Sequence, residues 1–436
     1  EDNMFKNIVI VGTGYVGIPV AAMFADKGFN VVGINRTKEK VDLINRGLCP
    51  IEGDEPNLPE LIEKVVKGKK LVATTDYSAC KTADAILICV ETPFDSDKWE
   101  PKYDSLKSAL KSVAENMSKN SLVIVESTIA PTTMETLVKP ILENTSKMKA
   151  GKDFLLGNCP ERVMPGKLLY NIENLSRVCG GINEETRERM LQLYSHIVKG
   201  ELYPTDCITA EVVKTAENAY RDVEIAFANE VALICEKLGI NVYEVRELVN
   251  KAPYRNMHLP GAGVGGHCLP KDSLLLSYGV KGILTPELMI LARNLNKKMP
   301  LHTAGLLIDA LKEKGMDVKG KNITVCGFAY LENSDDTRNT PSLGVINALK
   351  EKGAIVEVHD PFVKSYERLE IKKDFYSCVK DSDALVFVTA HSEYKNLDLN
   401  KIKKLMKTPI IIDGRNIFDK EEMIKKGFLY KGVGKG

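Results

Sequence analysis

The stretch "GAGVGGHCLPKD", residues 261–272, sets glycines at 261, 263, 265 and 266 ahead of Cys268, with Lys271 and Asp272 close behind. Glycine costs conformational entropy unless the chain needs positive φ or something must come close to the backbone. A thiol held between glycines and charged residues is a candidate nucleophile, because thiolate chemistry belongs to polar, accessible surroundings. Asp272 stands four residues on, near enough in the chain to orient a water or accept a proton. The plain alternative for Cys268 is the reading that fits the other nine cysteines, a small residue packed as a hydrophobe. Its flanks favour the nucleophile.

A second constellation opens the chain. In "NIVIVGTGYVGIPVAAMFADKG" an apolar strand runs into Gly12-x-Gly14-x-x-Gly17, and a helical pattern follows to Gly28. The glycine triplet alone is weak, but strand, turn and helix together are what a dinucleotide pyrophosphate requires: backbone N–H groups and a helix N-terminus facing the phosphates. Gly12, Gly14, Tyr15, Val16 and Gly17 are the expected contacts. The next strand, "NVVGIN", should end in an acid for the adenosine ribose. It ends in Asn35-Arg36, which can hydrogen-bond a hydroxyl but lacks the charge that repels a 2′-phosphate.

These groups need elements to hold them. At 436 residues the chain is too long for one ordinary core. Alternating strand and helix patterns continue through "DAILICVETP" and "SLVIVESTIAPTT", as a parallel sheet requires. From Thr209 to Leu238, 30 residues pass without Gly or Pro and with apolar residues at helical spacing. A helix of that length reaches about 45 Å and reads as a spine joining domains and subunits. After a helical stretch near 286–314 the strand pattern restarts at "KNITVCGFAY". There "FYSCVKDSDALVFV" (375–388) echoes "DYSACKTADAILICV" (76–90). The predicted fold is α/β, two Rossmann-like α/β domains joined by a central helical domain with a long spine helix. The expected division is 4–205, 206–314 and 315–436.

Composition narrows the partners. With 60 basic and 59 acidic residues there is no global field to draw in nucleic acid or a membrane surface. No apolar run approaches the roughly 20 residues of a membrane span, and the early first strand predicts no leader. No two of the ten cysteines stand at C-x-x-C spacing, so no structural metal site is expected. Their apolar settings suit a reducing cytoplasm rather than a disulfide framework.

Taken in order, "GTGYVG", "VETP", "ESTIAPTT", "CPERVMPG", "AEVVKTAEN", "PGAGVGGHCLPKD", "DDTRNTPS" and "VHDP" resemble the UDP-glucose and UDP-N-acetylmannosamine dehydrogenase family over nearly the whole chain. The resemblance implies oxidation of a UDP-sugar C6 alcohol to a carboxylate by two hydride transfers to NAD, with Cys268 as the nucleophile. Physical chemistry agrees: the aldehyde must be trapped, and a thiolate does so as a thiohemiacetal that can lose a second hydride and leave a thioester for water. Lys214 and Asn218, four apart and so on one helix face, match the donors that hold the oxyanion. Glu161 matches the glutamate that activates the hydrolytic water, and Thr128 the threonine that positions it. Thr92 and Thr128 fall beside the cofactor. Arg338 in "DDTR" matches an arginine on the anionic diphosphate. Arg162, Val163, His258, Gly265 and His267 join the implied sugar site. Arg255 lies near a family arginine that reaches a neighbouring subunit's site, which implies a homodimer or larger homo-oligomer through the central helices.

Four positions depart from the UDP-glucose pattern: Asn35, Pro165 where a second glutamate stands, Leu331 where lysine is common, and His267 before the cysteine. Asn35 and Arg36 leave NADP open beside NAD. "CPERVMPG" and "GGHC" look like the branch acting on UDP-N-acetylmannosamine or a related 2-acetamido sugar, whereas "CLPKD" looks like the UDP-glucose branch; the acetamido sugar is the expectation. UDP-glucose and UDP-N-acetylglucosamine are the competing substrates. A 3-hydroxy acid or 6-phosphogluconate type dehydrogenase would need one hydride transfer and no thiol. A nucleotide-sugar sensor without catalysis would need no thiol either.

Overall fold

The computed structural model describes residues 5–51, 53, 55–96 and 98–436; Met4, where the first predicted domain begins, and residues 1–3 lie outside it. The chain forms two compact units, Glu1–Glu217 with Leu274–Thr285, and Asn218–Ser273 with Pro286–Gly436. The divisions at 217/218 and 273/274 fall inside helices, Cys207–Leu238 and Leu269–Tyr278. The predicted spine helix is thus present, starting two residues ahead of the expected Thr209.

The first unit is built on strands β1 (Asn7–Val11), β2 (Asn30–Ile34), β3 (Leu71–Thr74) and β4 (Ala85–Ile88). A short antiparallel ribbon, β5 (Phe94–Asp95) with β6 (Glu100–Pro101), is followed by β7 (Leu122–Val125), β8 (Leu155–Asn158), β9 (Arg177–Gly181) and β10 (Leu202–Thr205). The sheet runs β3-β2-β1-β4-β7-β8-β9-β10, parallel except between β8 and β9. Its strands bury both faces, as parallel strands covered by helices must: Ile8 and Ile10 pack on one side, Val9 and Val11 on the other. The order reverses between β1 and β4, where α/β sheets bind ligands beyond the strand ends.

The second unit holds a wholly parallel sheet in the order β12-β11-β13-β14-β15, from β11 (Asn322–Cys326), β12 (Ile355–His359), β13 (Ala384–Phe387), β14 (Ile410–Asp413) and β15 (Leu429–Gly432). The helix Glu287–Glu313 matches the predicted second helical stretch and buries Leu307, Ala310 and Leu311 in the core that also takes Ile323 and Val325 of β11. The sequence echo has a structural counterpart. Asp84 ahead of β4 accepts from the backbone of Lys6 and Asn7 at 2.7 and 2.9 Å, and Asp383 ahead of β13 accepts from Asn322 N at 3.0 Å. In each sheet the same aspartate ties the inner strand to the start of the first. No helix among the described residues is long and apolar enough to cross a membrane.

Candidate active site

In the first unit the glycine turn follows β1 and leads into the helix Gly17–Asp26. Gly12 has φ of +94°, and a Cβ there would stand 2.7 Å from the Cys89 carbonyl. A Cβ on Gly17 would overlap the Gly12 carbonyl, while Gly14 has open space within 4 Å. Two glycines therefore fold the turn and the third leaves a bare backbone face at a helix N-terminus with no acidic residue in its first turn. That cradle fits a dinucleotide pyrophosphate. Val16 caps this helix and Tyr15 is half-buried beside it. Asn35 Nδ2 donates to Thr13 Oγ1 at 2.8 Å and its Oδ1 accepts from Thr37 N at 2.9 Å, so both ends of the amide are held at the tip of β2. Arg36 is exposed.

Around the same strand ends, Thr92 Oγ1 donates to the Thr128 carbonyl at 2.6 Å, which brings two expected cofactor-side residues together. Glu161, one residue past the Cys159-Pro160 that follows β8, is buried and ion-paired to Arg177; its Oε1 also accepts from Arg162 N at 2.8 Å. Arg177 itself is buried, pairs with Glu126 at 3.1 Å, and lies over the Tyr194 ring. Arg162 is occupied by Glu217 and by the Ser176 carbonyl and hydroxyl. Val163 is half-buried against the core on the glycine-turn side. Lys214 is half-buried on the long helix. One turn earlier Glu211 accepts from the backbone of Thr132 and Met134 at 2.8 and 2.7 Å; burial pushes its carboxyl up to about 7 against those two hydrogen bonds. Glu211 is the second residue of "AEVVKTAEN", and nothing in that spacing announces its burial.

In the second unit the Cys268 loop meets the segment after β11. The Gly266 N–H donates to the Arg338 carbonyl at 2.8 Å, and Asn339 Nδ2 returns a bond to the Gly266 carbonyl at 2.9 Å. The glycines prove to serve the chain's own packing. A Cβ on Gly261 would meet the Arg415 guanidinium at 2.3 Å, one on Gly263 Pro300 at 2.9 Å, and one on Gly265 Tyr330 at 2.5 Å. Gly263 and Gly266 also have φ of +137° and +90°. The close approach that the sequence predicts at these glycines is made, at these Cβ positions, by the chain's own residues, which lets the loop lie flat on its neighbours.

Cys268 is half-buried at the start of the helix Leu269–Tyr278. One turn in, the buried Asp272 accepts from Asn218 Nδ2 at 2.6 Å and from Lys271 Nζ at 2.7 Å. Burial, then the positive charges of Lys271 and Arg338, push His267 down to about 4, so its ring is neutral near pH 7. Arg338 is itself held in a two-pronged pair with Asp336. Asn218, Asp272, Gly265, His267, Cys268 and Arg338 are thus brought into one neighbourhood. Two expected residues sit elsewhere on their own segment: Arg255 is exposed with its guanidinium on the Pro253 and Tyr254 carbonyls, and His258 lies 3.3 Å from Glu224.

Family models match the chain in three consecutive segments: the NAD binding domain of the UDP-glucose/GDP-mannose dehydrogenase family over 6–198, its central domain over 208–298 and its UDP binding domain over 324–420. The UDP-N-acetyl-D-mannosamine dehydrogenase of Pyrococcus horikoshii is 40% identical over 98% of this chain and 99% of its own. A solved structure of the UDP-D-ManNAc dehydrogenase of that organism superposes with a TM-score of 0.92 at 39% identity, covering 99% of each chain. An NDP-N-acetyl-D-galactosaminuronic acid dehydrogenase from Methanosarcina mazei gives 0.90 at 42% identity, over 99% of this chain and 95% of that one.

Proposed function

The chain belongs to the UDP-glucose/GDP-mannose dehydrogenase family, whose NAD-dependent oxidation of UDP-sugars it shares, and we propose that it takes UDP-N-acetyl-D-mannosamine to its uronate through a thioester on Cys268. The turn at Gly12, Gly14 and Gly17 would hold NAD, which would supply a hydride acceptor for each of the two oxidations. Once the first hydride has left C6 and the hydroxyl proton has passed to water, the Cys268 thiolate adds to the aldehyde carbon and the oxygen becomes an oxyanion facing Lys214 and Asn218. Loss of the second hydride leaves a thioester. A water, placed by Thr128 and giving its proton to Glu161, adds to the thioester carbon, and the carbon–sulfur bond breaks to return the thiolate. Asp272 fixes the Asn218 amide, and Arg338 meets the diphosphate.

The observation that carries this reading is the clamp of Gly266 between Arg338 and Asn339. It ties the segment matched to UDP binding directly to the loop of the thiol, so a nucleotide held by one presents its sugar to the other. Domains at 4–205, 206–314 and 315–436 fit the three matched segments. Tyr220, Phe227 and Ile234 stand seven residues apart on the long helix and are each more than half exposed, as are Leu288 and Leu291. An apolar stripe of that kind suits a two-fold partner, and we assign it to a homodimer, checked by sedimentation. The ten thiols fit a cytoplasmic enzyme.

A panel of UDP-sugars with NAD tests the substrate. UDP-N-acetylmannosamine should yield two reduced cofactors per sugar, with kcat/KM well above that for UDP-glucose, whose hydroxyl leaves a buried acetamido partner unpaired. UDP-glucose equal or better would sink the assignment. A second reading keeps the acetamido group and changes the ring configuration; the 42% identity to the Methanosarcina enzyme favours including an N-acetylgalactosamine nucleotide in the panel.

A further inference from the structure

We infer that a buried polar ladder on the long helix, Asp222 and Asn229 with Arg293 and Asn296 of the helix Glu287–Glu313, is the positioning device for Cys268. The four residues are between 0 and 2% exposed. Arg293 Nη1 donates to Asp222 Oδ1 at 2.8 Å, Asn296 Nδ2 to the same oxygen at 2.7 Å, and Asn229 Nδ2 to Asn296 Oδ1 at 2.9 Å. Three further bonds run from this ladder to the two ends of one loop. At its start Gly261 N donates to Asn229 Oδ1 at 2.9 Å. At its end Arg293 Nη1 reaches the Leu269 carbonyl and Ser273 Oγ reaches Asp222 Oδ2, each at 3.4 Å.

An ion pair in a core is a poor source of stability, since apolar residues of similar volume do as well or better. Hydrogen bonds, unlike apolar contacts, fix direction. Asn218, Asp222 and Asn229 stand at i, i+4 and i+11 and so face one way along the helix; in that order they end on Asp272, on Ser273 and on Gly261. One rigid helix face therefore sets the place of the thiol and of the Asn218 amide together. An oxyanion donor and a nucleophile acting on the same carbon need that fixed spacing.

The inference rests on Cys268 being the nucleophile, and a single-turnover experiment separates the two. Full-length enzyme with NAD and UDP-N-acetylmannosamine is followed by absorbance for Asn229→Ala, Arg293→Lys and Cys268→Ala. Arg293→Lys keeps the charge on Asp222 but shortens the reach to Leu269, and it decides the matter if Asn229→Ala does not fold. Because the thiol enters only after the first hydride has left, the ladder variants should form the first equivalent of NADH within about threefold of the wild-type rate. The second should slow by about tenfold or more. Equal slowing of both phases, or no change in either, overturns the ladder as a positioning device. Wild-type formation of both equivalents by Cys268→Ala overturns the nucleophile instead.

Discussion

Asn218 and Asp272 are joined at 2.6 Å, amide nitrogen to carboxylate oxygen, and the other carboxylate oxygen takes Lys271 at 2.7 Å. The carboxylate is wholly buried and both its oxygens are engaged. Its charge holds the lysine, and its geometry aims the amide.

Asp272→Asn removes the charge while keeping the shape. Lys271 is then left buried with no counter-charge, and the unfolding free energy measured in urea should fall by about 3 kcal/mol. Adding Lys271→Met should restore most of that stability. Turnover should stay low in both variants, about tenfold down, because the neutral amide oxygen left at position 272 holds the Asn218 amide more weakly than a carboxylate does. Recovery of turnover along with stability would show that Asp272 acts only on the lysine.

Cys268→Ser should nearly abolish conversion to the acid, because an unactivated hydroxyl is a far weaker nucleophile than a thiolate. Cys268→Ala should still bind the UDP-sugar, since the Arg338 and Asn339 bonds to this loop go to its backbone at Gly266. Calorimetric titration with the nucleotide sugar checks binding. Acid produced by Cys268→Ala at the wild-type rate would rule out the covalent route.

His267 carries a pH signature. With its folded value near 4 against an ordinary 6.5, the unfolded chain takes up a proton in that window that the folded chain refuses. Its contribution to stability is therefore complete above pH about 6.5 and is lost as pH falls towards 4, on the order of 3 kcal/mol at most. Denaturation midpoints at pH 7.5, 6 and 5 should fall more steeply for the wild type than for His267→Gln. Parallel curves would mean that the ring is protonated without cost.

Asn35→Asp should sharpen the preference for NAD over NADP. An aspartate can still accept from Thr37 N, and the Thr13 hydroxyl can turn to donate to it, so the substitution fits the bonds that hold Asn35 now. What it adds is a negative charge where a 2′-phosphate would lie. The ratio of kcat/KM values for the two cofactors should move towards NAD by about tenfold, near 1.4 kcal/mol. An unchanged ratio would place the ribose elsewhere.

The regular elements could be read from periodicity because each buries a repeating face: "NIVIV" fills both sides of a sheet, and the run to Leu238 turns its alanines inward. The glycine turn could be read from its flanks. Partners far apart in the chain could not. Nothing in the spacing of Asp222 and Arg293 announces that residues 71 apart form one buried pair. The glycines before Cys268 show that a backbone needs clearance, but a sequence does not show whether the occupant is a ligand or Tyr330 and Arg415 of the same chain.

The two hydrogen bonds between Gly266 and the Arg338–Asn339 backbone and side chain bear on recombination between relatives. A chimaera that exchanges the nucleotide-binding end at a seam near residue 315 imports a foreign Asn339 and a foreign carbonyl beneath a native thiol loop. Swaps made to alter the base or the diphosphate preference would then shift Cys268 as well. A graft that moves residues 261–273 together with the new end keeps donor and acceptor from one parent, and the two specificities travel as a single inherited block.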